Sequence, residues 1–312
     1  TQIDKSAEAV FLYVACLRYG SVLVPISTML KKDEIEYIVN DSMPSLVVCR
    51  PESEMLFQSL VRSSNVPVKT MAPSSYGSAI EESSYLPPLP IVYPVARDAP
   101  ARITYTSGTT GRPKGAIRPH TREDNRLYLS NLWQLATNDT VLHVLNLHHA
   151  YGFFTLNFSL YTPCKMLLTP EFHPQTTIRL LPRATIFAGT PSMYKQLLRE
   201  SALTRDACKN TRLFLCGTAP LPEDTFHAFK QRTGKEIIEW FGMSEAGTIT
   251  ANPLGAARAG SCGKPLPRVE IRITNNDGQI LSANQVGNIE VKSTRLFRGY
   301  LNDRQKTQLG YR

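Results

Sequence analysis

The sequence predicts an α/β fold in which mostly parallel, doubly wound sheets are covered by helices, with an antiparallel β appendix near the end of the chain. Three observations lead to this prediction. Helical segments alternate with short apolar runs along most of the 312 residues, which is typical of parallel sheets. Apolar residues make up 42% of the chain, enough for a sizeable core. Loops rich in glycine and hydroxyl residues follow several apolar runs, as in doubly wound sheets that bind ligands at strand ends.

The first part of the chain supplies two helices and two apolar runs in alternation. Apolar spacing predicts helices at residues 5–19 and 33–39, and buried strands at residues 22–26 and 45–49. Residues 72–100 are rich in proline and serine, which indicates an exposed connection.

The alternation resumes beyond that connection. Strands are predicted at residues 103–106, 184–188, 212–216 and 236–241. A glycine-rich loop follows the first of them and leads to a helix from about Arg122, with Thr121 as the candidate cap. Thr190 and Pro191 start another helix as a cap and a first-position proline, and residues 222–232 form a further one.

The last part of the chain changes character. Residues 269–274 and 287–292 alternate between apolar and polar, and Asn276, Asp277 and Gly278 between them indicate a hairpin. We therefore predict three parts: a partial first α/β subdomain at 1–95, a second α/β subdomain carrying the site at 96–255, and a β-rich subdomain at 256–312.

Composition excludes several classes of protein. The chain has 35 Lys and Arg against 26 Asp and Glu, but these charges are scattered, so a nucleic-acid groove is not indicated. The six cysteines are far apart and show no metal-ligand spacing. They are typical of reduced thiols in the cytoplasm, and an organelle matrix stays open. No apolar stretch reaches the length of a membrane span, and the oligomeric state is not predicted.

The strongest local feature is the run YTSGTTGRPKG at residues 105–115. Its glycines let the backbone present N–H groups to an anion, its hydroxyls can donate to phosphate oxygens, and Lys114 adds a positive charge. The spacing is not that of a Walker A loop. A flexible linker is the alternative, but linkers do not usually follow a buried strand directly. The run therefore predicts a polyphosphate site.

This run resembles the phosphate loop of the superfamily of adenylate-forming enzymes, which includes acyl-CoA synthetases, luciferases and the adenylation domains of peptide synthetases. Further matches follow in the same order over nearly the whole chain: GTPSMY at 189–194, GTAPLP at 217–222 and EWFGMSEAG at 239–247. The resemblance implies ATP, Mg²⁺ and coenzyme A as cofactors or co-substrates, and a carboxylic acid that is joined to AMP and then to a thiol.

The resemblance also implies site residues. The phosphates would be held by Thr106, Ser107, Gly108, Thr109, Thr110, Gly111 and Lys114. The backbone of Gly217, Thr218 and Ala219 would line the adenine. Phe241 would lie against the adenine face, Gly242 and Met243 would lie beside the nucleotide, Ser244 would touch phosphate, and Glu245 would hold Mg²⁺ together with Thr110. Thr110, Lys114, His149 and Glu245 are the predicted catalytic residues. From the residues alone, Glu245 as a surface carboxylate and Phe241 as a core residue remain alternatives.

The acyl site is predicted from weaker matches. Gly189, Thr190 and His149 would line it; His149 matches the first position of the superfamily's HxHG-like segment, and Tyr151 stands where the second histidine is expected. A loop histidine with a satisfied hydrogen bond is the alternative for His149.

Long stretches such as residues 168–200 and 243–267 resemble the malonyl-CoA synthetases. A dicarboxylate needs a cation for its distal charge, and Arg258 is the candidate, with a solvated loop arginine as the alternative. Arg212 and Arg183 are weaker candidates, because each flanks a strand.

The resemblance further implies that the small C-terminal domain and a front portion of the large domain lie outside this sequence. The chain alone is therefore expected to be weakly active or inactive. A nucleotide-binding fragment or pseudoenzyme of the same family, or a ligase for another short or medium-chain acid, are the competing hypotheses.

Overall fold

The computed structural model describes residues 1–2, 4–71, 93–106, 112–120 and 125–311, and these form two compact units. Unit 1 takes in residues 1–122, 146–149 and 297–312, and unit 2 takes in residues 123–145 and 150–296. Most of the proline-rich connection, the Thr121 cap and the helix start at Arg122 lie outside the described residues. The three-part division predicted from the sequence stays a prediction.

Unit 1 begins with helices packed on a small parallel sheet. Its first elements are α1 (Ala7–Tyr19), α2 (Lys32–Ser42), β1 (Val47–Cys49), α3 (Glu54–Val61) and β2 (Val68–Thr70). The Ser6 hydroxyl accepts the backbone N–H of Ala9 and so starts α1 as an N-cap. β1 and β2 pair in parallel. Ile35, Ile38 and Phe57 bury their side chains in the core between these elements.

Two expectations for unit 1 were wrong in detail. The apolar run at 22–26 does not form a strand; Leu23 makes only a single parallel bridge to Arg102. The glycine-rich run leads first to a strand and not to a helix, because β3 (Pro100–Thr106) pairs antiparallel with β4 (Lys114–Pro119). The sequence of β4 shows no clear alternation of apolar and polar residues, because Gly115 has no side chain and the charged Arg118 is nevertheless buried.

The end of the chain completes this hairpin. Arg298 N and Leu301 N donate to carbonyls of β4, and Ile117 N donates to Gly299 O. A Cβ on Gly115 would lie 2.9 Å from Ile103 Cγ2 and 3.3 Å from Leu301 Cβ, so the close approach here requires glycine. α9 (Arg304–Gly310) follows.

Unit 2 is built on a seven-stranded sheet with the order β11-β10-β9-β8-β7-β5-β6. Its strands are β5 (Thr140–His143), β6 (Lys165–Leu168), β7 (Ile186–Gly189), β8 (Leu213–Cys216), β9 (Ile237–Met243), β10 (Gly247–Ala251) and β11 (Lys264–Pro265). β5 to β9 are parallel, while β10 and β11 form an antiparallel edge. The helices are α4 (Asn125–Leu132), α5 (Ala150–Tyr161), α6 (Pro174–Leu180), α7 (Pro191–Arg199) and α8 (Glu223–Thr233).

Every residue of β7 and β8 is buried, as expected for parallel strands that are covered on both faces. The predicted cap is confirmed: Thr190 accepts the backbone N–H of Met193, and Pro191 takes the first position of α7. Beyond the sheet, β12 (Val269–Thr274) pairs antiparallel with β13 (Asn288–Ser293). The predicted fold class, a helix-covered and mostly parallel sheet with an antiparallel appendix, is confirmed.

Candidate functional site

The carboxyl edge of the parallel sheet in unit 2 gathers three of the predicted segments. β7 ends at Gly189 before Thr190, β8 ends before Gly217, and β9 ends at Met243. β7, β8 and β9 are parallel neighbours, so the three loops open at the same edge. Ligands of open α/β sheets bind at this edge, beyond the strand ends.

The loop after β8 combines a close backbone approach with backbone strain. A Cβ on Gly217 would lie 2.9 Å from Trp240 Cε2, closer than side chains tolerate, so only glycine fits against this indole. Thr218 follows with a φ of 81°, in the left-handed region that a β-branched residue rarely adopts. The side chains of Thr218 and Ala219 are exposed. Strain of this kind concentrates at ligand sites.

A carboxylate ties this loop to the neighbouring strand. Glu239 on β9 accepts the backbone N–H of Leu221, just beyond the loop, at 3.1 Å. Burial raises the pKa of Glu239, and the Leu221 N–H partly offsets that rise. The loop is therefore held on β9, next to the predicted adenine residues.

The residues after β9 form a tight reversal. Gly242 pairs with Thr248 and Met243 with Gly247, and Ala246 N donates to Met243 O. Ser244 and Glu245 occupy the tip of this turn, and the Glu245 side chain is half-buried. Phe241 packs against the core of unit 2 from a half-buried position.

Two other predicted acyl-site residues of unit 2, Thr190 and Arg258, are each held by their own hydrogen bonds. The Thr190 hydroxyl lies 2.9 Å from the Ser192 hydroxyl in addition to its capping bond. Arg258 lies in the loop between β10 and β11, where its N–H donates to Asn252 Oδ1 at 3.4 Å. The Asn252 amide donates in turn to Glu239 O and Ser261 O. This anchor follows Ala251, which pairs with Trp240.

The weaker candidate Arg212 has a structural role. Its guanidinium donates to Asp139 and to the carbonyls of Trp133 and Gln134.

Unit 1 carries the two ends of the predicted phosphate run. Thr106 ends β3 and pairs with Lys114, the first residue of β4. The Lys114 ammonium lies 5.5 Å from the centre of the Tyr300 ring, within the range of a cation–π contact. Ser107, Gly108, Thr109, Thr110 and Gly111 lie outside the described residues.

His149 also belongs to unit 1. Its ring centre lies 4.1 Å from that of His148. Burial and the neighbouring His149 lower the pKa of His148 to about 4, so His148 is neutral at pH 7. Burial lowers the pKa of His149 as well, although its side chain keeps an exposed surface. Both imidazoles can therefore serve as neutral hydrogen-bonding groups.

Tyr151, at the place of the expected second histidine, is buried in unit 2 on α5. Its ring meets the Trp240 ring edge-on at 4.9 Å. Burial raises the pKa of Tyr151 well above its usual value, and Cys216 adds to the rise. A weak polar interaction with the Trp240 indole N–H partly opposes it. Trp240 was missed at the sequence level, although it stands next to the predicted adenine residue Phe241.

The donor set fits a magnesium ion that reaches the protein with a nucleotide. The part of the chain that the structure describes contains no group of three or more His, Cys, Asp or Glu side chains placed to hold a metal. Mg²⁺ usually takes one or two protein carboxylates and completes its shell with phosphates and water. Glu245, a carboxylate at the tip of a turn on the ligand edge, suits that mode.

The helices within the described ranges are all too short or too polar to cross a membrane.

Comparisons with known proteins complete the description of the site. The family model of the AMP-binding enzymes matches residues 1–301. The mitochondrial malonate–CoA ligase of Mus musculus is 34% identical over 83% of this chain and 47% of its own length. The structure of ATP-bound MatB from Rhodopseudomonas palustris superimposes with a TM-score of 0.94 at 34% identity, and covers 100% of this chain and 63% of MatB.

A malonyl-CoA ligase in a ternary product complex with methylmalonyl-CoA and AMP matches with a TM-score of 0.82 at 27% identity, over 99% of this chain and 65% of that one. The chain spans about half the length of the curated relatives it matches.

Proposed function

The chain belongs to the AMP-binding enzyme family, and from that premise we propose that it forms part of an acid–thiol ligase that converts malonate to malonyl-CoA. The main support is the position of two loops: the strained Gly217–Thr218 loop and the Glu245 turn end adjacent parallel strands of one sheet. The sequence similarity to malonate–CoA ligases supports malonate as the acid.

The proposed reaction has two steps. The acid carboxylate attacks the α-phosphate of ATP, which forms an acyl–AMP anhydride and releases pyrophosphate. The thiol of coenzyme A then loses its proton, attacks the acyl carbonyl, and AMP leaves with its phosphate oxygen. The first step brings two anions together, so positioned donors must stabilise the charge that develops.

We assign the phosphates to the run from Thr106 to Lys114: Thr106, Ser107, Gly108, Thr109, Thr110, Gly111 and Lys114. The adenine lies along the backbone of Gly217, Thr218 and Ala219 and against Phe241, with Gly242 and Met243 beside it, and Ser244 touches phosphate. Glu245 and Thr110 would hold Mg²⁺, which when bound neutralises phosphate charge. The acid lies by His149, Gly189 and Thr190, with Arg258 near its distal carboxylate.

Pyrophosphate release by the full-length protein tests the proposal. We expect malonate to give at least tenfold higher kcat/KM than acetate or octanoate, with methylmalonate between them. A tenfold advantage for acetate or octanoate would contradict malonate and leave the ligase class intact. Arg258→Ala should reduce the malonate rate selectively; an equal loss with acetate would remove Arg258 from the recognition of the distal charge.

A second candidate function is nucleotide binding without ligation, which the partial coverage of the relatives favours for the 312-residue chain by itself. Calorimetric titration with ATP and Mg²⁺, beside a pyrophosphate-release assay, separates the two. Binding without release supports the second candidate, whereas release supports the ligase.

The compartment is also a proposal. The six cysteines carry no disulfide, which suits a reducing compartment. The cytoplasm fits this, and the mitochondrial relative makes an organelle matrix an equal choice.

A further inference from the structure

Two buried polar atoms at the ligand edge of unit 2 have no hydrogen-bond partner. Tyr151 is 4% exposed and Trp240 is 7% exposed. Within the described residues, neither Tyr151 Oη nor Trp240 Nε1 makes a hydrogen bond of normal length and angle; the two groups lie close enough only for a weaker polar interaction with each other. Buried polar groups are nearly always satisfied in folded proteins, so a pair of unsatisfied groups in contact requires an explanation.

Comparable residues in the same unit show that the fold can satisfy such groups. Tyr194, which is fully buried, donates its hydroxyl to Leu215 O at 2.8 Å. Trp133, also fully buried, donates its indole N–H to Asn252 O at 3.0 Å. Tyr151 and Trp240 differ from these two residues because neither has an acceptor at normal hydrogen-bonding geometry within the described residues.

The unsatisfied atoms lie directly behind the proposed adenine loop. A Cβ on Gly217 would be 3.1 Å from Trp240 Nε1, so the indole N–H sits beneath this residue. Successive residues of a strand point to opposite faces, so Trp240 and the adenine residue Phe241 serve opposite faces of β9. The Trp240 face is covered by α5, which carries Tyr151 and Phe154.

The chemistry of the two atoms defines what they can bind. An indole N–H is only a donor, and a phenol O–H can donate to the same acceptor. Phe154 lies 4.5 Å from Trp240 between ring centres and adds an apolar surface. The arrangement therefore suits a short carbon chain that ends in a hydrogen-bond acceptor.

We propose that Tyr151 Oη and Trp240 Nε1 together donate hydrogen bonds to the distal carboxylate of a short dicarboxylic acid, and so determine acid specificity. This inference rests on the proposed ligase function. It is compatible with Arg258, because a carboxylate accepts several hydrogen bonds and the Arg258 loop is anchored beside the residue that pairs with Trp240.

The decisive variant is Tyr151→Phe, with Tyr194→Phe as the matched control. Both remove one hydroxyl from a buried tyrosine, but only the Tyr194 hydroxyl has a protein partner. The acids are malonate and propionate, which has the same carbon count without the distal oxygens. In the full-length protein, Tyr151→Phe should lower the malonate-to-propionate ratio of kcat/KM about tenfold, a loss in the range of one hydrogen bond to a charged group. Trp240→Phe should lower the ratio similarly, and Tyr194→Phe should leave it unchanged.

Stability supplies a second readout with opposite signs. Without substrate, Tyr151→Phe should raise the Tm by about 2 °C, because an unsatisfied buried hydroxyl is removed. Tyr194→Phe should lower the Tm, because it removes a hydrogen bond. An unchanged acid ratio in Tyr151→Phe, or a fall in its Tm, would overturn the proposal; a fall would indicate that the hydroxyl is satisfied by solvent.

Direct titration of both acids into wild type and Tyr151→Phe separates this inference from the proposed function. If wild type prefers malonate, the variant loses that preference and no pyrophosphate is released, the recognition of the distal carboxylate by Tyr151 stands and only the ligase function on which the acid's use rests fails. If wild type releases pyrophosphate but binds both acids equally, the ligase function stands and the inference fails.

Discussion

The two edges of the parallel sheet in unit 2 differ in whether their buried polar groups have hydrogen-bond partners. At the amino edge, Asp139, Thr185 and Arg212 each stand one residue before a strand, ahead of β5, β7 and β8. Asp139 accepts from Arg212 Nε at 3.1 Å, from the Thr185 hydroxyl at 2.6 Å and from Ala136 N at 2.9 Å. At the amino edge, the buried Asp139 carboxylate is therefore hydrogen-bonded by a network of neighbouring groups.

The carboxyl edge has the opposite character. Thr218 holds a left-handed backbone there, and Tyr151 and Trp240 bury polar atoms that have no partner in the described part of the chain. The comparison indicates that the amino edge contributes mainly to the stability of the sheet, whereas the carboxyl edge is the proposed ligand site. Variants of the amino edge should change the free energy of unfolding, and variants of the carboxyl edge should change ligand binding or turnover.

The largest effect is expected for Arg212→Ala at the amino edge. The substitution leaves the Asp139 carboxylate buried without its cation, and removing one partner of such a pair costs about 3 kcal/mol in the free energy of unfolding. Urea unfolding at pH 7 measures it. Arg272→Ala, which breaks the more exposed pair with Glu290 in the same unit, should cost under about 1 kcal/mol. Equal losses of unfolding free energy in the two variants would show that the amino-edge pair contributes no more to stability than a more exposed pair.

The pH dependence of the same variant sharpens this prediction. Burial would raise the pKa of Asp139, but hydrogen bonds from Arg212 and Thr185 outweigh it and hold the pKa below the usual value of 3.8. The stabilisation is therefore present above that value and is lost as the pH falls through the lower pKa of the folded state. The difference between wild type and Arg212→Ala should shrink as the pH falls from 5 towards 3. A constant difference would show that Asp139 is not the partner that matters.

At the carboxyl edge, the proposed metal-holding role of Glu245 predicts that Glu245→Gln reduces pyrophosphate release by the full-length protein about 100-fold, because the variant has no carboxylate charge there. The free energy of unfolding should change by less than about 1 kcal/mol. Glu270→Gln, on the exposed surface of the appendix, serves as the control and should change neither quantity. A loss of stability large enough to explain the lower activity would contradict the division between the edges.

The smallest effect is expected for Thr218→Gly. Glycine adopts a positive φ without strain, and the relief of that strain outweighs the greater freedom of glycine in the unfolded chain, so the variant should be more stable than wild type by about 1 kcal/mol. Asn284→Gly, at another positive φ in unit 2, should change stability less, because asparagine tolerates this conformation. Thermal unfolding compares the two. A Thr218→Gly protein no more stable than Asn284→Gly would show that Thr218 stores no strain.

Much of the fold was predictable because local signals agree with the final packing. The strands at β7, β8 and β9 are apolar, and Thr190 with Pro191 marks the start of α7 without ambiguity. β4 was not predictable, because it depends on pairing with β3 and with the distant segment around Tyr300. Sequence periodicity carries no information about such partners.

The candidate site also has a part that could be predicted from the sequence and a part that could not. The ligand-edge loops could be found from motifs, since each follows a predicted strand. The pairing of Tyr151 with Trp240 could not, because the two residues are far apart in sequence and both look like ordinary core aromatics. Only the absence of a hydrogen-bond partner distinguishes them from Tyr194 and Trp133.

The pairing of residue 300 with residue 116 affects how the protein assembles. Unit 1 draws on both ends of the sequence, whereas unit 2 is nearly continuous between them. During synthesis the β3–β4 hairpin is therefore followed by about 180 further residues before the segment around Gly299 can pair with it, and such a long loop closure slows folding. Until then β4 keeps an open edge that can pair with another chain. A protein cut at residue 296 would keep that edge permanently, and we expect it to aggregate.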